Sequence, residues 1–418
     1  MRGFRIAMLQ KLSSACRLAA CLIALAQGAA AYSVLSHEAL IDAAWDAAIR
    51  PILLERFPSA TPDELRQAHG YAYGGAIIQD MGYYPFGSHL FSDLVHYVRS
   101  GDFILNLLAQ AQDLDEYAFA LGALAHYAAD NEGHSLAVNR VVPMLYPKVR
   151  AKFGSVATYE DNPADHLKTE FSFDVSQVAE HHYAPEAYHD FIGFGVSKPL
   201  LERAFLATYG IPLTDVSKTL DLALGTYRRT VSSIIPEMTK VAWDAKKKEL
   251  LKDNPGLSRR RFIYAVSRSS YEKEWGNSYE KPGLLTRLLT VLLRIVPKVG
   301  PFAALSFRPA TPDSRKLFMD SFVRSLAVYR EKLEEVRKGS PPVLVNDNFD
   351  TGKVERFGAY RLADEACGKL ILKLSEKKFA TVDAGLRGSI LTFYGNASPD
   401  DPKVMEALTA IRAEPRQP

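Results

Sequence analysis

Apolar residues recur at three- and four-residue spacing along most of the chain, the period of a helix with one face turned toward a core. An alanine-rich pattern from about residue 34 to 49 predicts a first helix with Ser36 as its N-cap. Thr61-Pro62-Asp63-Glu64 opens a second, with proline at the first helical position and acids in the first turn, expected to run to about Gly70. The glycine- and tyrosine-rich stretch 70–87 reads as mostly loop. Helical spacing resumes over 90–99, 103–111 and 114–130, then gives way to a less regular stretch, 136–165, interrupted by Pro143, Pro147 and Pro163. It returns over 199–209, 213–252, 313–338 and 350–375, and strand-like alternation is scarce throughout. The pattern predicts an all-α protein, a multi-helix bundle with an additional C-terminal helical region. Residues 397–418, rich in polar residues and proline, read as a polar tail that frays at its end.

Composition changes little in this picture. A chain of 418 residues, 47% hydrophobic and 24% charged, is ordinary for a globular protein, and it is long enough for one large core or two domains. A net charge of +3 is too mild to argue for nucleic acid or an acidic membrane. The first residues say more. Arg2, Arg5, Lys11 and Arg17 precede an apolar run over 18–26, and Ala29-Ala30-Ala31 supplies a small-residue cleavage pattern. The expectation is a signal peptide over 1–31 and a secreted or periplasmic protein, since the apolar run is well short of the ~20 residues that span a bilayer. With Cys16 and Cys21 removed, only Cys367 remains, so a site built from several thiolates is excluded.

The chemistry centres on Ala125-His126-Tyr127-Ala128-Ala129-Asp130-Asn131-Glu132-Gly133-His134, at the end of an apolar helical pattern. Residues four apart share a helical face, so His126, Asp130 and, if the helix persists, His134 point the same way. At ~1.5 Å rise per residue the outer histidines start roughly 12 Å apart, too far for one ion with bonds of about 2 Å. Two ions sharing the central carboxylate fit better. A second His/carboxylate pair at the same spacing, His166 and Glu170, suggests a multinuclear zinc centre. All ten histidines lie at or before His189, which assigns the chemistry to residues 32–210 and makes 211–396 helical support or a cap. One later stretch stands apart. Residues 284–299, from Leu284 to Val299, place Arg287, Arg294 and Lys298 near one face with aliphatic residues elsewhere, as a helix in peripheral membrane contact would, or one packed on the body with a basic edge.

At His37, Asp80, the His126/Asp130/His134 cluster and the His166/Glu170 pair, the chain resembles the zinc-dependent phospholipase C family. The fungal single-strand-specific zinc nucleases share its fold. The likeness covers roughly 32–174, with Phe119-Ala120-Leu121-Gly122-Ala123-Leu124-Ala125-His126-Tyr127-Ala128-Ala129-Asp130 its most specific piece. The resemblance implies up to three zinc ions. Asp80, His126, Asp130 and a histidine after Asp80 would hold one; of His96 and His89, separation and helical spacing favour His96. His134, His166 and Glu170 would hold a second. His37, Asp130 and the backbone of the mature first residue, Tyr32, would hold a third. It further implies that Asp80 is catalytic, orienting or deprotonating the attacking water, and that the substrate is a phospholipid or other phosphodiester. Tyr83, Tyr84 and Phe86, just after Asp80, are candidates for contacting it. A single-strand nuclease would use the same metals, but it would need a basic, aromatic groove, and no nucleic-acid partner is expected otherwise. A catalytically inactive metal-binding relative is the third possibility.

Overall fold

The computed structural model describes residues 34–84, 86–179, 194–229, 243, 247–248, 251 and 307–413. The signal-peptide reading, Tyr32, and the proposed membrane-contact stretch 284–299 lie outside them. The chain is all-α. α1 (Val34–Ala44) runs through a short π-helical segment (Trp45–Ile49) into α2 (Arg50–Arg56). α3 (Pro62–Ile77) continues as a 3-10 turn (Ile78–Tyr83). Next come α4 (His89–Tyr97), α5 (Ser100–Gln110) and α6 (Leu114–Gly133), the last prolonged by a π-helical turn (His134–Val138). α7 (Asn139–Leu145), α8 (Pro147–Phe153) and α9 (Pro163–Ala179) complete this part. α10 (Lys198–Tyr209), α11 (Leu213–Val216) and α12 (Leu220–Arg229) follow. After the long α13 (Pro312–Arg337) comes a two-stranded antiparallel hairpin, β1 (Asp347–Asn348) and β2 (Lys353–Val354), the one sheet among the described residues. α14 (Arg361–Glu376), α15 (Ala384–Tyr394) and α16 (Pro402–Ala413) close the chain.

α6 is the central helix. Asp113 caps its N-terminus by accepting from the Glu116 amide at 2.8 Å, with Asp115 and Glu116 in the first turn where the helix dipole favours acids. From Tyr117 to Asp130 every residue is buried, as expected of a helix surrounded on all sides. α3 lies along one side of it and α13 along another. Tyr329 of α13 donates its hydroxyl to the Leu121 carbonyl at 2.9 Å. One apolar core runs from Val34 in α1 through Phe119 and Leu124 to Ile411 in α16. A smaller core joins Val138, Val142, Phe173 and Phe318.

Several local readings of the sequence differ from the structure, among them the single helix over 213–252, which breaks at residues 217–219 between α11 and α12. Residues 70–83 are helical rather than loop, because their glycines are contact residues. A Cβ on Gly74 would lie 1.8 Å from the Gly195 carbonyl oxygen, and one on Gly75 would lie 1.9 Å from that of Phe119. Only glycine lets α3 and α6 approach so closely. Ser36 sits inside α1 rather than at its cap; its hydroxyl donates to Asp174 of α9 at 2.8 Å. Residues 350–360 are not helical. Asn348 accepts from the amides of Asp350 (2.9 Å) and Thr351 (3.3 Å), and this side-chain-closed turn diverts the chain into the hairpin until α14 begins at Arg361. Within the polar C-terminal stretch, α16 buries Val404, Ala407, Leu408 and Ile411. No helix of the described residues is long and apolar enough to cross a membrane.

Candidate metal centre

Helix geometry brings the chemistry together at the inner end of α6. His126 and Asp130, one turn apart and both fully buried, approach to 3.0 Å between Nε2 and Oδ2. α1 delivers His37, whose ring stacks on that of His126 with centroids 4.4 Å apart and planes 11° apart. Its Nε2 is 3.5 Å from Asp130 Oδ1. The 3-10 turn after α3 delivers Asp80 and α4 delivers His96, whose Nε2 lies 3.3 Å from Asp80 Oδ1 and 3.5 Å from Asp130 Oδ2. Farther along, His134 stacks on His166 of α9 with centroids 6.0 Å apart.

Among the described residues, three groups place ligand-type atoms within 4.8 Å of one another: His37, His126 and Asp130; Asp80, His96 and His126; and His134, His166 and Asp350. His126 and His134 fall in separate groups, as their spacing on α6 requires. His96 joins the site, whereas His89 is exposed and packs edge-on to Tyr83 with centroids 5.6 Å apart. Glu170 is buried beside the third group, 4.0 Å from His166 Nδ1, but outside it. Asp350 takes that place. It comes from the hairpin turn, far from every motif the sequence exposes, and the one local hint is the turn chemistry of Asn348, Asp350 and Gly352. Tyr83 is buried against His96 and Tyr159, Tyr84 meets Tyr227 edge-on, and Phe86 is exposed in a left-handed conformation with φ 64°.

The donor set suits metal ions. Three imidazoles are held by a backbone carbonyl on one nitrogen, leaving the other to face the site: His126 Nδ1 on Ala76 at 2.9 Å, His96 Nδ1 on Ser92 at 2.8 Å and His166 Nε2 on Ala157 at 2.7 Å. Such bonds fix the tautomer and orientation a metal-binding histidine needs. The carboxylate oxygens of Asp80, Asp130 and Glu170 are buried without a hydrogen-bond partner. Uncompensated buried carboxylates cost several kcal/mol each, which cations among them would offset.

Electrostatics agree. Burial, reinforced by His126, lowers the His37 imidazole to about 3, and burial lowers that of His166 to about 4, so both are neutral and able to ligate. Burial also acts on His96, but the carboxylates of Asp130 and Asp80 beside it outweigh it and push the ring up to about 10. Glu170 is raised well above the usual carboxylate range by burial and by the acids Asp130, Asp80, Asp350 and Asp174 around it.

Residues 36–218 match the family model described as zinc dependent phospholipase C. No curated protein and no solved structure matches the chain. The matched segment contains His37, Asp80, His96, His126, Asp130, His134, His166 and Glu170, and over it the chain is similar to the zinc-dependent phospholipase C family.

Proposed function

We propose that the protein is a secreted zinc-dependent phosphodiester hydrolase, specifically a phospholipase C that releases phospholipid head groups. The observation that carries this reading is the set of buried histidine and carboxylate groups converging on α6, all but Asp350 within the segment that the family model matches. Asp80, His96, His126 and Asp130 would hold one zinc, and His37 with Asp130 another, completed by the backbone of Tyr32. His134 and His166, with neighbouring carboxylate, would hold a third. Bound zinc supplies Lewis acidity toward phosphoryl oxygens and makes water acidic near neutral pH.

The remaining work falls to the chain itself. Asp80, set beside His96 at 3.3 Å and buried, is placed to orient an attacking water or take its proton. The apolar walls around α6 exclude bulk water and strengthen each charge interaction inside. Tyr83 braces His96, while the exposed Phe86 is the member of the Tyr83, Tyr84 and Phe86 trio presented to an incoming lipid. The basic leader with its apolar run and Ala31 supports export.

The test is hydrolysis of phosphatidylcholine vesicles and of single-stranded DNA by the purified full chain, before and after chelation and zinc return. Head-group release that stops with chelator and returns with zinc is expected. Cleavage of DNA with lipid left intact would replace the reading with a nuclease. A zinc-loaded protein that cleaves neither would leave an inactive metal-binding relative.

A further inference from the structure

We propose that Asp350, which lies outside the family segment, is a metal ligand that completes the pocket of His134 and His166 and ties the C-terminal region to metal occupancy. The inference rests on the metal-centre reading above.

The two oxygens of Asp350 have different partners. Oδ2 is clamped, accepting from the Tyr159 amide at 2.7 Å and the Tyr360 hydroxyl at 2.8 Å. Oδ1 is buried without a hydrogen-bond partner and lies 3.3 Å from Nδ1 of His134, which likewise lacks one. His166 turns its Nδ1 to the same point because Ala157 holds its other nitrogen at 2.7 Å. A carboxylate with one oxygen fixed and the other aimed at two imidazoles has the form of an oriented ligand.

The backbone that carries it is fixed as well. The Asp350 carbonyl accepts from Asn139 Nδ2 at 2.7 Å, and Asn139 opens α7, one short turn beyond His134. The Phe349 amide donates to the His96 carbonyl at 3.1 Å, and its buried ring packs against His96 and His126. Ser100 Oγ donates to the Asp347 carbonyl at 2.6 Å. The hairpin is therefore anchored on both sides of the site by the chain's own contacts.

A plain ion pair between His134 and Asp350 explains less. It leaves His166 Nδ1 and both oxygens of Glu170 buried without hydrogen-bond partners. One divalent cation among His134, His166 and Asp350, with Glu170 at its edge, compensates all of them.

The experiment compares full-length wild type with Asp350→Asn and Tyr360→Phe. Zinc per chain is measured by mass spectrometry after dialysis, and melting temperature is measured in zinc and in chelator. Asp350→Asn is expected to lose one zinc per chain and to narrow the gap between zinc-loaded and chelated melting temperatures, the chelated forms melting alike. Tyr360→Phe is expected to keep the stoichiometry at saturating zinc while weakening that site roughly 10- to 100-fold. Unchanged zinc content in Asp350→Asn overturns the proposal, as does a melting loss equal with and without metal, which is the mark of a structural ion pair. Should Asp350→Asn fail to fold, unaltered zinc affinity in Tyr360→Phe overturns it instead. A wild type that binds no zinc removes the metal-centre reading itself, whereas a zinc-loaded wild type matched by Asp350→Asn removes only the role of Asp350.

Discussion

Asp130 Oδ2 lies 3.0 Å from Nε2 of His126 and 3.5 Å from Nε2 of His96, while its Oδ1 lies 3.5 Å from Nε2 of His37. One carboxylate thus faces imidazoles from α6, α4 and α1 at once. Asp130→Ala is expected to empty more than one metal position and to lower activity by at least about 100-fold, since even indirect support for a metal ligand costs about 10- to 100-fold. Elemental analysis of the purified variant is the check, and full zinc content with Asp130 gone would refute the shared role.

The close approach of α3 and α6 is a second point of control. A Cβ on Gly122 would lie 2.0 Å from the Ala72 carbonyl oxygen, an overlap with backbone that no rotamer change relieves. Gly122→Ala should cost about 3 kcal/mol, at the upper end of overpacking penalties. Pushing α3 outward also draws the Ala76 carbonyl away from His126 Nδ1, which it holds at 2.9 Å. Denaturant unfolding and zinc titration of the same variant should therefore both shift. A stability loss with zinc affinity untouched would show that the helix contact and the site are uncoupled.

Sequence exposes what is periodic and local. The four-residue spacing of His126 and Asp130 is visible because a helix repeats, and so is the all-α character. The segment over 70–83 reads wrongly as loop because a glycine that breaks a helix and one that lets two helices touch look alike until the neighbour is known. Asp350 is hidden for a related reason. Its place beside His134 depends on a hairpin docked through Phe349 and Asn139, a relation between distant segments that no local period encodes. The family's separation after Asp80, together with helical spacing, ranks His96 above His89, but only packing shows that one is buried and the other exposed.

Asp174 anchors the start of α1, accepting from the Leu35 amide at 3.1 Å and the Ser36 hydroxyl at 2.8 Å, on the two residues just before His37 enters the site. If the mature chain begins at Tyr32, its amine lies close enough in sequence to reach the His37 and Asp130 group. A protein with extra residues left ahead of Tyr32 is expected to carry one zinc fewer than the cleaved form. Equal metal content in the two, measured side by side, would remove the chain terminus from the ligand set.

Asp93, one helical turn from His96, allows a pH test that alters no proposed ligand. It is a buried carboxyl on α4, raised to about 7 chiefly by burial, with Lys369 and His96 pulling the other way. In the unfolded chain it titrates near about 3.9. Between about pH 4 and 7 the folded form therefore holds a proton that the unfolded form has lost, and stability contributed by this group falls as pH rises through that window. Above pH 7 the ionised side chain carries a penalty of roughly 4 kcal/mol, since each tenfold change in proton affinity is worth about 1.4 kcal/mol. Asp93→Asn removes that ionisation while keeping the shape. Its stability should match wild type near pH 4 and exceed it by a few kcal/mol at pH 8, read from denaturant curves of the full chain at both values. A difference between the two proteins that does not change with pH would mean that folding leaves the Asp93 carboxyl where the unfolded chain has it.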